Sequence, residues 1–142
     1  MKVLVINGPN INMLGIREPD IYGKNSYKQL KASIKQWSNM IGIKTKIYQS
    51  NHEGDIVDII QSAYKKFDAI IINPAAYTHT SVAILDAIKS VNIPCVEVHL
   101  SEPDKREDFR HVSYVGMACV KRFSGYGFES YKKALEYVKN NI

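Results

Sequence analysis

Cysteine is scarce in this sequence: two residues, Cys95 and Cys119, each set inside an apolar run. Their spacing fits neither a disulfide framework nor a metal knuckle, and they read as buried free thiols of a reducing compartment. No apolar run approaches the ~18 residues of a membrane span. Met1-Lys2 leads at once into a short β-like run and then Gly8-Pro9, which is not the order of a signal peptide, so a cytoplasmic chain is expected. Also missing are a glycine-rich phosphate loop of the Rossmann or P-loop type and any His/Cys cluster at metal-ligand spacing. Those gaps predict a site with no cofactor and no metal. Acidic residues are outnumbered, 14 against 19 Lys and Arg, for a formal net charge of +5. The lysines are spread over several elements, whereas a nucleic-acid binder gathers them on one face with interleaved aromatics. The basic field still favours encounter with a small anionic substrate.

What is present suits one globular domain over residues 1–142, at 45% hydrophobic and 23% charged residues. Five β-then-α units follow in order. The first strand is Lys2 to Asn7; the first helix starts at Ser26, where Ser26 and Gln29 have capping-box spacing, and Gly42 is its C-cap. Tyr27, Leu30, Ile34, Trp37 and Ile41 form its apolar stripe. The second strand, Ile43 to Gln49, alternates lightly and suits a sheet edge. Ser50 and Glu53 offer another capping box, before a helix carrying Ile56, Ile59, Ile60, Ala63 and Phe67. The third strand, Asp68 to Asn73, is continuously apolar at its centre, the pattern of a strand covered on both faces. A helix from Thr80 or Ser81, a strand from Pro94 to Leu100, a helical turn around Lys105 to Val112, a strand from Met117 to Arg122 and a helix from Phe128 to Asn140 complete the chain. The alternation predicts a doubly wound α/β sandwich with a five-stranded parallel sheet, and the size favours the flavodoxin-like order 2-1-3-4-5.

One connection is out of scale. Between the first strand and first helix lies Asn7 to Gly23, NGPNINMLGIREPDIYG, about three times the usual two to six residues. Ile11, Met13, Leu14, Ile16 and Ile21 make it too apolar for a solvated tether, so it reads as a binding loop that closes over a site. In a doubly wound sheet, ligands bind beyond the carboxyl ends of the strands. There stand Asn7, Asn10 and Asn12 after the first strand and Asn73 with Thr78-His79-Thr80 after the third. Glu97, His99 and Ser101 lie on or after the fourth, with Arg106 and Arg110 beyond. A flavin module would put a phosphate loop after the first strand, and a receiver domain would need an acidic cluster there and an aspartate after the third; neither is present.

GPNINMLG with REPDIYG, QSNHEG, INPAAYTHTSVAILDA, PCVEVHLS and REDFRHVSYV, in this order across essentially the whole chain, resemble the type II 3-dehydroquinate dehydratases. The resemblance implies a flavodoxin-like fold and a dodecamer built from trimers. It also implies loss of water from 3-dehydroquinate to give 3-dehydroshikimate in the shikimate pathway to aromatic amino acids, without metal or Schiff base. Glu102-Pro103 after Ser101 departs from the pattern, since many members carry asparagine there; Met13 for leucine is a volume-conserving change.

The reaction removes a proton beside a ketone and expels a hydroxyl, so it needs a base, an enolate stabiliser, an acid and groups that hold a carboxylate. By resemblance Tyr22 is the base. A free tyrosine titrates near 10, and bringing it near 7 takes ~4 kcal/mol of stabilisation of the anion. A guanidinium within ~4 Å supplies that order of interaction at an effective dielectric near 20. Arg17 on the same loop matches the essential arginine, and Arg106 adds to the field. By the same resemblance Asn12 holds the water that stabilises the enolate, and His99 is the acid. Glu97, on the same side of an extended strand, orients the imidazole. Asn73, His79, Asp86 and Arg110 match substrate-binding positions, Leu100 and Ser101 match the carboxylate clamp, and Asp86 reaches a neighbouring subunit's site. His52 and His111 have no assigned role. A pH–rate profile should show Tyr22→Phe nearly inactive and Arg17→Ala shifted toward alkaline pH; near-normal turnover in Tyr22→Phe would remove it as the base.

Overall fold

The computed structural model describes residues 1–16, 18, 20 and 25–142. Five parallel strands, β1 (Lys2–Asn7), β2 (Lys44–Gln49), β3 (Ala69–Asn73), β4 (Cys95–His99) and β5 (Lys121–Ser124), lie in the order β2-β1-β3-β4-β5. This is the flavodoxin-like arrangement expected from the sequence. β1 and β3 are apolar on both faces because both are covered, β4 carries Glu97 and His99 on one face, and side-chain alternation divides the apolar residues of the three between two cores. Val3, Val5, Ile71, Val96 and Val98 pack with α1 (Tyr27–Met40) and α4 (Glu129–Asn141). Leu4, Ile6, Ile70 and Ile72 pack with α2 (Glu53–Ser62) and α3 (Val82–Val91). Each fully buried Leu or Ile contributes roughly 1.5–3 kcal/mol, so the two cores dominate the stability.

Local signals hold at several points. Ser26 Oγ accepts from Gln29 N at 3.2 Å, and the Gln29 side chain accepts from Ser26 N at 2.8 Å, closing the capping box. Ser81 caps α3 by accepting from Ile84 N at 2.9 Å. β2 is an edge strand, with Lys44 and Lys46 exposed. No helix among the described residues is long and apolar enough to cross a membrane.

Other boundaries differ. The Ser50–Glu53 capping box does not form: His52 is the N-cap of α2, and Ser50 Oγ instead donates to Asp55 at 2.9 Å and accepts from His52 N at 3.0 Å. α2 stops at Ser62, short of Phe67. The segment from Met117 does not begin a strand, because Val115–Ala118 winds into a 3-10 helix packed on α3; only Lys121–Ser124 pairs with β4. The turn around Lys105 to Val112 resolves into two 3-10 turns, Pro103–Lys105 and Asp108–Arg110. Cys95 is buried, but Cys119 is only partly so.

A buried polar knot ties the carboxyl ends of β1 and β3 to α4. Tyr131, fully buried, donates its hydroxyl to Asn7 Oδ1 at 2.5 Å and accepts from Asn73 Nδ2 at 2.9 Å. Burial pushes the Tyr131 hydroxyl far above its usual range, so it stays a proton donor. Tyr131→Phe leaves both amides short of a partner and should cost about 3 kcal/mol in urea unfolding, whereas a cost below about 1 kcal/mol would show the amides re-paired.

Candidate active site

Asn73, one member of the knot, also lines a cleft at the carboxyl edge of the sheet. Gly8 starts the wall after β1. A Cβ there would fall 2.5 Å from the Pro74 carbonyl oxygen, and Gly8 N donates to Asn73 O at 2.7 Å. The loops after β1 and β3 therefore touch backbone to backbone, which only glycine permits. Asn10 follows in the left-handed region at φ 71° and lines the cleft with Pro9 and Ile11. From the loop after β3 come Asn73, Ala75, Ala76 and His79. Asn73 Oδ1 accepts from Ala75 N at 3.1 Å, and Ala75 is held at φ 52°, a strained value for a residue with a Cβ. From β4 and beyond come His99, Leu100 and Ser101, then Pro103, Arg106 and Arg110.

β4 supplies the chemically demanding pair. Glu97 is completely buried, and its Oε2 contacts His99 Nε2 at 2.7 Å, Ser113 Oγ at 2.6 Å and Thr78 Oγ1 at 2.8 Å. Burial on its own would raise the Glu97 pKa; the His99 hydrogen bond and charge, helped by Ser113 and Thr78, override it and lower it to about 2. Glu97 is thus a carboxylate, which only accepts, so His99 Nε2 carries the proton. Nδ1 is the nitrogen left for chemistry, and His99, 6% exposed, lines the cleft. Glu97 Oε1 has no hydrogen-bond partner among the described residues, and a Cβ on Gly116 would sit 2.7 Å from it.

His79 is set by the same logic. Its Nδ1 lies 2.7 Å from the Val112 carbonyl oxygen and must donate, leaving Nε2 unsubstituted. Burial lowers its pKa, the Val112 bond opposes this, and the charges of His99 and Arg110 lower it further. Arg110 Nε donates to Glu107 at 2.6 Å, with its guanidinium over the Phe109 ring.

Of the residues singled out from the sequence, Asn73, His79, His99, Leu100, Ser101, Arg106 and Arg110 meet at this cleft, with Glu97 behind His99. Arg17 and Tyr22 lie outside the described residues. Asn12 is exposed and does not line the cleft; its Oδ1 accepts from Gln49 Nε2 at 3.2 Å, and Asn10 is the asparagine at the wall. Asp86 is exposed on α3, away from this cleft. Thr78 and Ser113 went unassigned in the sequence. Both lie within the runs that carry the family resemblance, Thr78 in THTS and Ser113 in HVSYV, but Ser113 is 16 residues from Glu97 and no local spacing links the two.

Three comparisons bear on this cleft. A family model described as dehydroquinase class II matches residues 1–139. The chain is 52% identical to the 3-dehydroquinate dehydratase of Clostridium acetobutylicum over 142 residues, covering 100% of this chain and 99% of that one. It is 55% identical to the 3-dehydroquinate dehydratase of Caldicellulosiruptor bescii over 139 residues, covering 97% and 96%. The crystal structure of the type II dehydroquinase from Butyrivibrio crossotus superposes with a TM-score of 0.95 at 48% identity, covering 97% of each chain.

Because the Glu97 pKa is depressed on folding, its contribution to stability is complete above the unfolded carboxyl value near 4.5 and is lost as the pH falls through about 2. Urea unfolding should therefore lose roughly 3 kcal/mol between those limits, a loss that Glu97→Gln removes. Equal acid sensitivity in the two proteins would contradict this.

Proposed function

The chain belongs to the class II dehydroquinase family, and we propose that its cleft dehydrates 3-dehydroquinate to 3-dehydroshikimate through an enolate. The enzyme is a hydro-lyase of the type II kind. Tyr22, as phenolate beside Arg17, takes the proton next to the ketone. The electron pair moves to the ketone oxygen to give the enolate, which then re-forms the ketone as the carbon–oxygen bond of the tertiary hydroxyl breaks. His99 gives that hydroxyl a proton from Nδ1, and water leaves. Glu97 supports this role by holding the ring and leaving Nδ1 turned to the cleft.

The observation that carries the reading is the Glu97–His99 pair opening onto a cleft with two arginines and the Leu100–Ser101 backbone. That set suits a small hydroxylated carboxylate. Asn73 and His79, which line the same cleft from the loop after β3, are assigned to the ring hydroxyls. The place at the cleft wall favours Asn10 over Asn12 for the enolate-stabilising water. Asp86 acts in a neighbouring subunit's cleft, in a dodecamer built from trimers. In support, Val82, one turn earlier on α3, and Phe109, beside Arg110, leave apolar surface exposed. We assign this activity to the shikimate pathway and to the cytoplasm.

Purified protein mixed with 3-dehydroquinate should develop the ultraviolet absorbance of the conjugated enone product, and His99→Ala should lower kcat by about 10²–10⁴-fold, the usual contribution of a general acid. Folded wild-type protein without signal would refute the activity; near-normal kcat in His99→Ala would refute the acid.

A further inference from the structure

Glu102 follows Ser101 directly, so an acid stands next to the segment read as the carboxylate clamp. A negative charge there disfavours an anionic substrate unless it is turned elsewhere and balanced. Both of its oxygens are engaged from β5. Oε1 accepts from Arg122 Nη2 at 3.0 Å, and Oε2 accepts from Ser124 Oγ at 2.7 Å. Oε1 also accepts from Asp104 N at 3.4 Å, capping the 3-10 turn whose Pro103 lines the cleft. On the other side of Ser101, Leu100 O accepts from Gly127 N at 3.0 Å. The corner after β5 closes on Glu102: Gly125 is at φ 86°, and a Cβ on it would meet Glu102 Cβ at 3.4 Å.

We propose that Glu102 is a positioning residue for the substrate carboxylate. With Arg122 and Ser124 it buckles the Leu100–Ser101 backbone to β5, and Arg122 cancels the charge that would otherwise repel the substrate. The inference rests on the clamp role given to Leu100 and Ser101 above. Arg122 also stands opposite Glu97 in the β4–β5 register. The two routes separate kinetically: an effect through the clamp appears in KM, and an effect through Glu97 and His99 appears in kcat.

Steady-state kinetics with 3-dehydroquinate on Glu102→Ala, Glu102→Gln, Arg122→Ala and the double alanine variant test this. Glu102→Ala should raise KM about ten-fold with kcat within about two-fold of wild type, Glu102→Gln should fall between, and Arg122→Ala should raise KM further because a bare carboxylate remains. The double variant should return to the Glu102→Ala level, since removing the acid removes the repulsion. KM within about two-fold of wild type in both single variants, a loss carried by kcat, or a double variant worse than either single one overturns the proposal. If wild-type protein leaves 3-dehydroquinate unchanged, the proposed function fails instead. Amide hydrogen exchange then decides the buckle: it quickens across residues 101–106 in Glu102→Ala if Glu102 holds the loop, and unchanged exchange overturns it.

Discussion

A fully buried carboxylate is unfavourable in isolation, and the way Glu97 is kept ionised organises the whole site. Three donors converge on one of its oxygens, from β4 itself, from the loop after β3 and from the segment leading to the 3-10 helix Val115–Ala118. Satisfying the charge therefore requires three separate pieces of backbone to be in register. The requirement also runs the other way: a segment that shifts leaves the carboxylate less well held. The orientation of His99 is thus a property of the tertiary structure, although only Val98 stands between it and Glu97 in the chain.

The parallel sheet explains why the partners assemble where they do. Every strand points its carboxyl end the same way, so the residues that follow β1, β3 and β4 meet without further design. Two backbone devices bring them close. Gly8 lets the first loop lie on Pro74, and Asn7, Asn73 and Tyr131 lock those same strand ends from below. The strained Ala75 sits in the same loop, where the surrounding hydrogen bonds fix a conformation that the residue would not choose.

Much of this was legible in the sequence, for a physical reason in each case. β1 and β3 are apolar through their centres because they are covered twice, and Ser26 and Ser81 announce their helices because a cap is a local interaction. Glu97 and His99 were readable as a pair from the period of a strand. Contacts made across the fold were not readable. Tyr131 scans as one more residue on an apolar stripe until its hydroxyl is found between two asparagines. Ser50 keeps the spacing of a capping box but bonds Asp55 instead. The run before β5 has strand composition, yet it coils because packing against α3 outweighs local propensity. Asn10 and Asn12 are indistinguishable by type, yet Asn10, in the left-handed region, is the one that lines the cleft.

The lysines on the outer strands have a colloidal consequence. β2 and β5 end the sheet, and each could in principle accept another strand along its open backbone. β2 places Lys44 and Lys46 on that rim, and β5 begins with the exposed Lys121, on a chain that already carries a net charge of +5. Strands from two copies would bring like charges face to face, which disfavours edge-to-edge polymerisation.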